Sequence, residues 1–546
     1  MESLTETIWD VVICGTGLQQ SLLALALSRS GKQILHLDPN PYYGGDEAAL
    51  TLRDADEWVT RHQDRQAQFS SDAADADQPT PIFSAASISR PAELAGPASS
   101  LSSSRAYSLA LAPFIVHTRS ALLSQLVSSH AYRQVEFLAV GSFFIFQPAP
   151  SAIAEDQEDG TNRELGPSLT PIPSTREAIF ADTTIQPRLK RALVKFLKFV
   201  LEHDTESQAE KWQPRADQPL DTFLQDEFKL DVELRTLILA LTLSLDGKIT
   251  VRAGLKAIER HLTSMGMFGP GFAAVYPKWG GGSEIAQVGC RACAVGGGVY
   301  ILGTDIKATR PLEGDSDGAK LEVELGEPDI RVRTRLLVRG RENAAESDEK
   351  ISRKVATVDS PLRSLFAPTL EDAPTPAVAV IVMPVGSVKD SEDKPSSYPV
   401  FVFAHSSDTG ECPPGQKEQT AANENVSGVL YFTTLATPTS SSVLDGALAL
   451  VLSAVAKDNG GESPKCIYQL RYDQSCGRSK SGPENEDGIF TFPSLPLDLA
   501  FNDTTLDSVR ESWVQAMGPS DTDEAKSKYM EFENREDVDD DEQNKE

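Results

Sequence analysis

The sequence predicts an α/β fold: a nucleotide-binding type of domain that carries a further β-sheet layer and is interrupted by a small all-helical domain. Three features carry that expectation. The chain opens with a β-branched apolar run, residues 8–14 (IWDVVIC), then Gly15-Thr16-Gly17 and an apolar stretch of helical character over 18–27. A block from about 176 to 269 repeats apolar residues at helical spacing. Short strand-like runs then return and continue to residue 472.

The opening reads as strand, turn, helix, strand: Gly31 fits a helix stop, and residues 33–38 (QILHLD) form the second strand. Residues 54–105 lose periodicity and fill with Ala, Asp, Ser, Gln and Pro, which predicts a disordered insertion. Order resumes near Tyr107, residues 135–146 read as strand, and 147–170 as an acidic loop. In the helical block Leu189, Leu193, Phe196 and Val200 share one face, with Arg191, Lys195 and Lys198 opposite. Residues 221–228 read as a short helix. Residues 232–245 include LRTLILALTLSL, apolar nearly all round and so expected to be buried, and Thr250 is a candidate cap for a helix running to about Ser264. Strand-like runs follow at 299–302, 336–339, 377–383, 400–404, 428–434 and 468–472, with polar connectors at 340–352, 387–397 and 406–426. The organisation is therefore a discontinuous sheet-containing domain (1–53, 106–175 and 270–510), a helical domain (176–269) and an acidic tail (511–546).

Apolar residues make up 40% of the 546 and charged residues 24%, which supports a packed core. The balance of 51 Lys+Arg against 80 Asp+Glu, a net charge of −29, excludes a binder of nucleic acid or a protein held on anionic lipid by charge. More than half of that charge falls in residues 54–78, 155–164 and 521–546, leaving a mildly acidic body. The six cysteines are few, the first ten residues (MESLTETIWD) are polar and acidic, and no apolar run reaches the roughly 18 residues of a membrane span. These features predict a cytoplasmic protein with reduced thiols.

Gly15 and Gly17 after a strand suggest a dinucleotide cradle, in which glycines let the backbone approach a pyrophosphate at a helix N-terminus. Asp38 ends the second strand, where a ribose-binding acid belongs. The third glycine position, however, is Gln20, and no second flavin signature follows: the Gly-Asp pairs are Gly45-Asp46 and Gly314-Asp315, the latter in a polar loop. The expectation is the fold of a flavoprotein with a vestigial motif (Gly15, Gly17, Asp38) and no bound cofactor. Cys290 and Cys293 are spaced C-x-x-C without the further ligands of a zinc site, so they read as core cysteines. The seven histidines form no metal or nucleophile–base signature, and no catalytic residue emerges.

Two dense segments stand out, residues 35–52 (LHLDPNPYYGGDEAALTL) and 276–302 (YPKWGGGSEIAQVGCRACAVGGGVYIL). With WDVVICGTGLQQSLLALALSRSGKQILHLDPNPYYGG and PSTREAIFADTTIQPRLKRALVKFLKF, they resemble the Rab GDP-dissociation inhibitor and Rab escort protein family. The likeness extends weakly through GVLYFTT (428–434). The cysteines of CRACAV and a long chain with acidic insertions point to the escort branch, component A of Rab geranylgeranyltransferase.

The resemblance implies a FAD-linked-reductase-like domain without flavin and a small helical domain that shields prenyl lipid. It implies a non-catalytic accessory that binds GDP-loaded Rab GTPases, presents them to the transferase α/β dimer, and touches membrane transiently. The alternatives are an inhibitor that recycles prenylated Rab and, more distantly, a FAD-dependent oxidoreductase. Matched position by position, the family's Rab-binding platform falls on Tyr43, Glu284, Gln287, Arg291, Val299 and Ile301. Glu284 is placed by taking Ser283 as an insertion, Gly296 replaces the usual aromatic, and Val299 stands where the inhibitors have a hydroxyl residue. The loop 266–276 (GMFGPGFAAVY) matches the family's mobile membrane- or effector-contacting loop, and Phe199 is the expected transferase contact. The apolar helix within 232–245 suits a C20 chain, whose burial recovers about 0.8 kcal/mol per CH2.

Overall fold

The protein is seen here as a computed structural model, which describes residues 2–63, 80–90, 101–149, 166–173, 186–312, 318–326, 330–341, 343–344, 349–370, 372–414, 427–457, 462–476, 483–496, 498–518 and 529–533. Three sheets and two helical layers form its frame.

The strand Val11–Cys14 and the helix Leu18–Leu27 fall where the glycine turn puts them, and the strand Ile34–Asp38 closes the unit. All four residues of the first strand and all five of the second are buried, as expected when both faces of a parallel sheet are covered. The six-stranded sheet runs Val299–Leu302, Ile34–Asp38, Val11–Cys14, Leu337–Arg339, Ile489–Thr491, Glu484–Glu486, parallel but for its last pair. One face packs through Val11, Ile13 and Ile34 against the helices Leu18–Leu27, Gly282–Val295 and Thr505–Met517. The other face packs through Val12, Leu35 and Leu37 on a four-stranded sheet that includes Leu321–Leu325 and Arg331–Thr334. Alternation along the strands therefore feeds two cores at once.

A ten-stranded, mostly antiparallel sheet forms the second layer. Its centre is the set Glu349–Val358, Gly428–Leu435, Val400–His405 and Val378–Met383, and the last of these pairs in parallel with Phe137–Gln147. The helix Ser440–Ala456 covers one face through Val443, Leu444, Ala447 and Val451. The expected strands at 377–383, 400–404, 428–434 and 468–472 all lie in this sheet.

The helical domain comprises Pro187–Glu202, Glu206–Trp212, Leu220–Phe228, Val232–Leu241 and Val251–Ser264. Thr250 caps the last of these, its side chain accepting from the Ala253 amide. Leu193, Phe196 and Val200 are buried on the predicted face, while Arg191, Lys195 and Lys198 are exposed. The apolar helix is shorter than read, Val232–Leu241, and its first turn is open, with Val232 67% exposed.

Three readings need correction. Residues 54–105 are not uniformly disordered: Leu52–His62 is a helix capped by Thr51, and Phe83–Ser89 is the edge strand of the large sheet. That helix buries Leu52, Ala55, Trp58 and Val59 on a single stripe, with Trp58 edge-on to Phe83 and Tyr472. The connector assigned to 340–352 already contains the start of the strand Glu349–Val358. The tail assigned to 511–546 begins inside the helix Thr505–Met517, and residues 529–533 fold back on the body. There Met530 is buried, Tyr529 packs on Trp513, and Arg29 lies over the Phe532 ring at 4.7 Å. The acidic stretches 64–79, 150–165 and 534–546 lie outside the described residues.

Candidate functional site

Two places compete for function. The first is the crevice at the carboxyl ends of the parallel strands, where nucleotides bind in this architecture. A cleft of about 340 Å³ opens there, lined by Gly15, Gly17, Gln20, Asp38, Asp46 and Glu47 among others. Gly15 holds φ +92°, which a side chain rarely adopts, so the turn keeps its glycine.

The residues present do not fit a flavin's pyrophosphate. Glu47 Oε2 accepts the Leu18 amide at 3.0 Å, putting a carboxyl group on the helix N-terminus that a phosphate would use. The Gln20 amide fills the space over the turn: a Cβ on Gly15, Gly17 or Gly340 would come within 3.1, 3.0 or 2.6 Å of it. Asp38 is committed as well. Its Oδ2 accepts from the Thr16 amide at 2.6 Å and the Thr16 hydroxyl at 2.5 Å, and its Oδ1 accepts from the Asn40 amide at 2.7 Å. Gly15, Gly17 and Asp38 thus hold the turn together. Burial, helped by the charge of Asp46, pushes the Glu47 carboxyl up to about 8, so it is largely neutral at pH 7.

The second place is the open edge of the same sheet. The helix Gly282–Val295 presents Glu284 and Gln287 half-buried and Arg291 exposed, at the i, i+3, i+7 spacing read from the sequence. Its other face buries Ile285, Ala286, Val288, Gly289, Cys290 and Cys293. The Arg291 charge opposes the rise that burial imposes on the Glu284 carboxyl, so the two act on each other. Gly289 and Gly296 let this helix lie close to its neighbour: a Cβ would come 2.4 Å from the Ser21 carbonyl oxygen at the first and 1.9 Å from that of Ser28 at the second. That closeness explains why an aromatic is missing at 296.

The strand Val299–Leu302 is the edge strand, paired with Ile34–Asp38 alone. Val299 is 38% exposed, and Ile301 packs partly on the core between the two sheets. Tyr300 points the other way, its ring 6.3 Å from that of Tyr43 and 4.7 Å from that of His36. The edge therefore sets Tyr43 beside Tyr300 on one face of the strand, while Val299 and Ile301 stand on the opposite face.

Sequence reasoning missed the groups beneath this edge. His36 Nε2 donates to the Gly15 carbonyl at 2.7 Å, so its Nδ1 accepts the Tyr300 hydroxyl at 3.1 Å. Burial lowers the His36 pKa to about 4, keeping the ring neutral. This relay ties the glycine turn to the edge strand, and alternation in VYIL was the signal for Tyr300. A second network lies under the approach to the helix. The Tyr276 and Tyr431 hydroxyls donate to Glu411 at 2.7 and 2.8 Å, and His405 Nδ1 lies 2.7 Å from the same carboxylate. All four residues are buried, and Tyr276 lies 135 residues from Glu411 in the chain.

Phe199 lies inside the helical domain. It is 6% exposed and packs on Phe223 and Phe228, three residues from Phe196 and so on the same inward face. An enclosed ring offers a partner nothing to grip. Cys290 and Cys293 are buried free thiols, as read.

The fold is FAD-linked-reductase-like, with its nucleotide cradle filled by the protein's own carboxyl and amide groups. A family model described as GDP dissociation inhibitor matches residues 5–83 and 62–363, and the chain belongs to that family. The protein named Rab proteins geranylgeranyltransferase component A in Saccharomyces cerevisiae is 29% identical over 384 residues, covering 70% of this chain and 56% of that one. Its namesake in Candida albicans is 33% identical over 304 residues, covering 56% and 42%. The chain thus spans about half the length of these relatives. A solved structure of Rab GDI from Plasmodium falciparum superposes with a TM-score of 0.61 at 16% identity, over 92% of this chain and 97% of that one, a likeness of fold.

Proposed function

We propose that this protein is a Rab escort protein: it binds GDP-loaded Rab, presents it to the geranylgeranyltransferase α/β dimer and delivers the lipidated product to membrane. The observation that carries this reading is the pairing of a self-filled nucleotide cradle with an open, polar sheet edge in a chain whose relatives are named as transferase component A. Chemistry at the crevice is disfavoured by Glu47 and Gln20, so the role is that of a non-catalytic accessory.

Tyr43, Glu284, Gln287 and Arg291 read the Rab surface, and Val299 and Ile301 contribute from the other face of the edge strand. The helical domain shields the lipid. Its interior is filled by Phe196, Phe199, Phe223 and Phe228, so a prenyl chain enters by parting helices. With Phe199 enclosed, the transferase contact passes to apolar groups that the domain leaves open, Leu201 at 53% and Val232 at 67% exposure. Met267 and Phe268, 47% and 59% exposed in the loop after the last helix, suit transient membrane contact. No helix among the described residues is long and apolar enough to cross a membrane. Cytoplasmic residence with brief visits to membrane follows from this role. No cofactor and no nucleic acid take part.

The test is transfer of labelled geranylgeranyl to unprenylated Rab by the purified α/β dimer, with and without this protein. Transfer that depends on the chain supports the escort. Extraction of prenylated Rab from membranes without support of transfer makes it a recycling inhibitor instead, and a flavin absorbance on the purified protein revives the oxidoreductase.

A further inference from the structure

The turn that follows the helix Pro187–Glu202 carries a second arrangement that the escort role does not use. His203 is 2% exposed, and its ring is held in one orientation. Nδ1 lies 2.7 Å from the Val200 carbonyl oxygen, an acceptor only, so Nδ1 carries the hydrogen. The His203 carbonyl in turn accepts the Trp212 indole N–H at 2.9 Å, and the two rings stand 5.6 Å apart. In the neutral ring this leaves Nε2 as a bare lone pair. It faces Asp204 Oδ1 at 3.3 Å, which is also an acceptor. From the helix Val251–Ser264, Glu259 adds a third ligand atom, and all three atoms lie within 4.8 Å of one another.

Three electron-pair donors converge, and one is the ring nitrogen of a buried histidine whose other nitrogen is already engaged. Two lone pairs facing one another at this distance are stabilised by a cation shared between them. Metal-bound histidines commonly donate their other ring N–H to a backbone carbonyl, as His203 does to Val200. One imidazole with two carboxylates suits a divalent ion of borderline softness, with water completing the shell. We propose that His203, Asp204 and Glu259 bind a divalent metal ion of the zinc class, joining the end of the helix Pro187–Glu202 to the helix Val251–Ser264.

The ion braces two helices whose apolar faces, Leu193, Phe196 and Val200 on one and Val251, Leu255 and Ile258 on the other, share one core. It therefore stiffens the helical domain from its surface. The site is built mostly before the metal arrives, because the ring of His203 is already locked.

The test uses the full chain, stripped with chelator and titrated with zinc chloride by calorimetry, beside the D204N/E259Q double variant. Asp204 has a side chain 78% exposed, and both replacements keep the shape of the side chain, so folding is preserved. The wild type is expected to bind one zinc ion per chain and to gain about 2 to 4 °C in melting temperature, with the variant weakened at least about tenfold and its melting point unmoved by zinc. Cobalt in place of zinc should give a visible absorption band in the wild type alone. Absence of stoichiometric binding overturns the proposal. Equal binding by wild type and variant overturns it too, by moving the zinc to other histidines.

Discussion

The crevice and the open edge belong to one parallel sheet, yet they have opposite fates. At the crevice the groups of the dinucleotide motif already have internal partners: the Leu18 amide has Glu47, the glycine turn has Gln20, and Asp38 has Thr16. At the edge, 14 residues of helix from Gly282 to Val295 keep Glu284, Gln287 and Arg291 clear of the core. A fold of the nucleotide-binding type has turned its ligand site into structural filling and left polar side chains open on the rim. The glycine motif survives because the turn needs it, whatever the ligand, so it reports the fold and says little of the activity.

The sharpest way to separate structural filling from recognition is Phe199→Ala. The enclosed ring predicts a loss of about 3–5 kcal/mol in the stability of the helical domain, read by chemical denaturation. A variant of full stability that fails only to bind transferase would restore the docking role. Arg291→Glu comes next: reversing an exposed charge at the edge should weaken GDP-loaded Rab binding by about 2–5 kcal/mol with stability unchanged, measured by titration calorimetry. Unaltered binding would displace the recognition surface.

Glu47 gives a smaller effect with a definite sign. Its folded pKa, about 8, lies above the unfolded value near 4.5, so the folded state holds the extra proton between them. Stability from this group is fully present below about pH 4.5 and is lost as pH rises through 8. Glu47→Gln, which keeps an acceptor for the Leu18 amide, should flatten the decline in melting temperature between pH 5 and 8 (a window set by that shift). An identical pH profile in wild type and variant would mean that Glu47 is not the group holding the proton. Val299→Thr, at a position 38% exposed, should change stability by under about 0.5 kcal/mol, and its effect on Rab binding grades how far the edge strand shares in recognition.

What could be read in advance was the part written in short-range pattern. The strand–turn–helix opening, the cap at Thr250, the inward stripe of Leu193, Phe196 and Val200, and the three polar positions on one helix face all lie within a few turns of their neighbours. The helix Leu52–His62 also carried its signal, a threonine cap and apolar residues at 52, 55, 58 and 59, but its acidic composition masked it. The burial of Phe199 was legible too, because a residue three beyond Phe196 belongs to the buried stripe although basic residues flank it.

The rest depended on pairings between segments that are not neighbours in the chain. Glu47 reaches the helix at Leu18 through a fold-back of 29 residues, and Glu411 collects Tyr276 from 135 residues away. Nothing local marks such a carboxylate as buried. The return of Tyr529 and Phe532 onto the body, in a stretch that reads as solvated tail, is likewise visible only once Trp513 and Arg29 are in place.

The most direct test of the account compares GDP-loaded, unprenylated Rab binding by the wild type, the edge variant Arg291→Glu and the crevice variant Glu47→Gln under one set of conditions. The account predicts that the edge variant loses binding by about thirtyfold or more while the crevice variant binds as the wild type does. Binding that survives Arg291→Glu but fails in Glu47→Gln would return function to the crevice and contradict it.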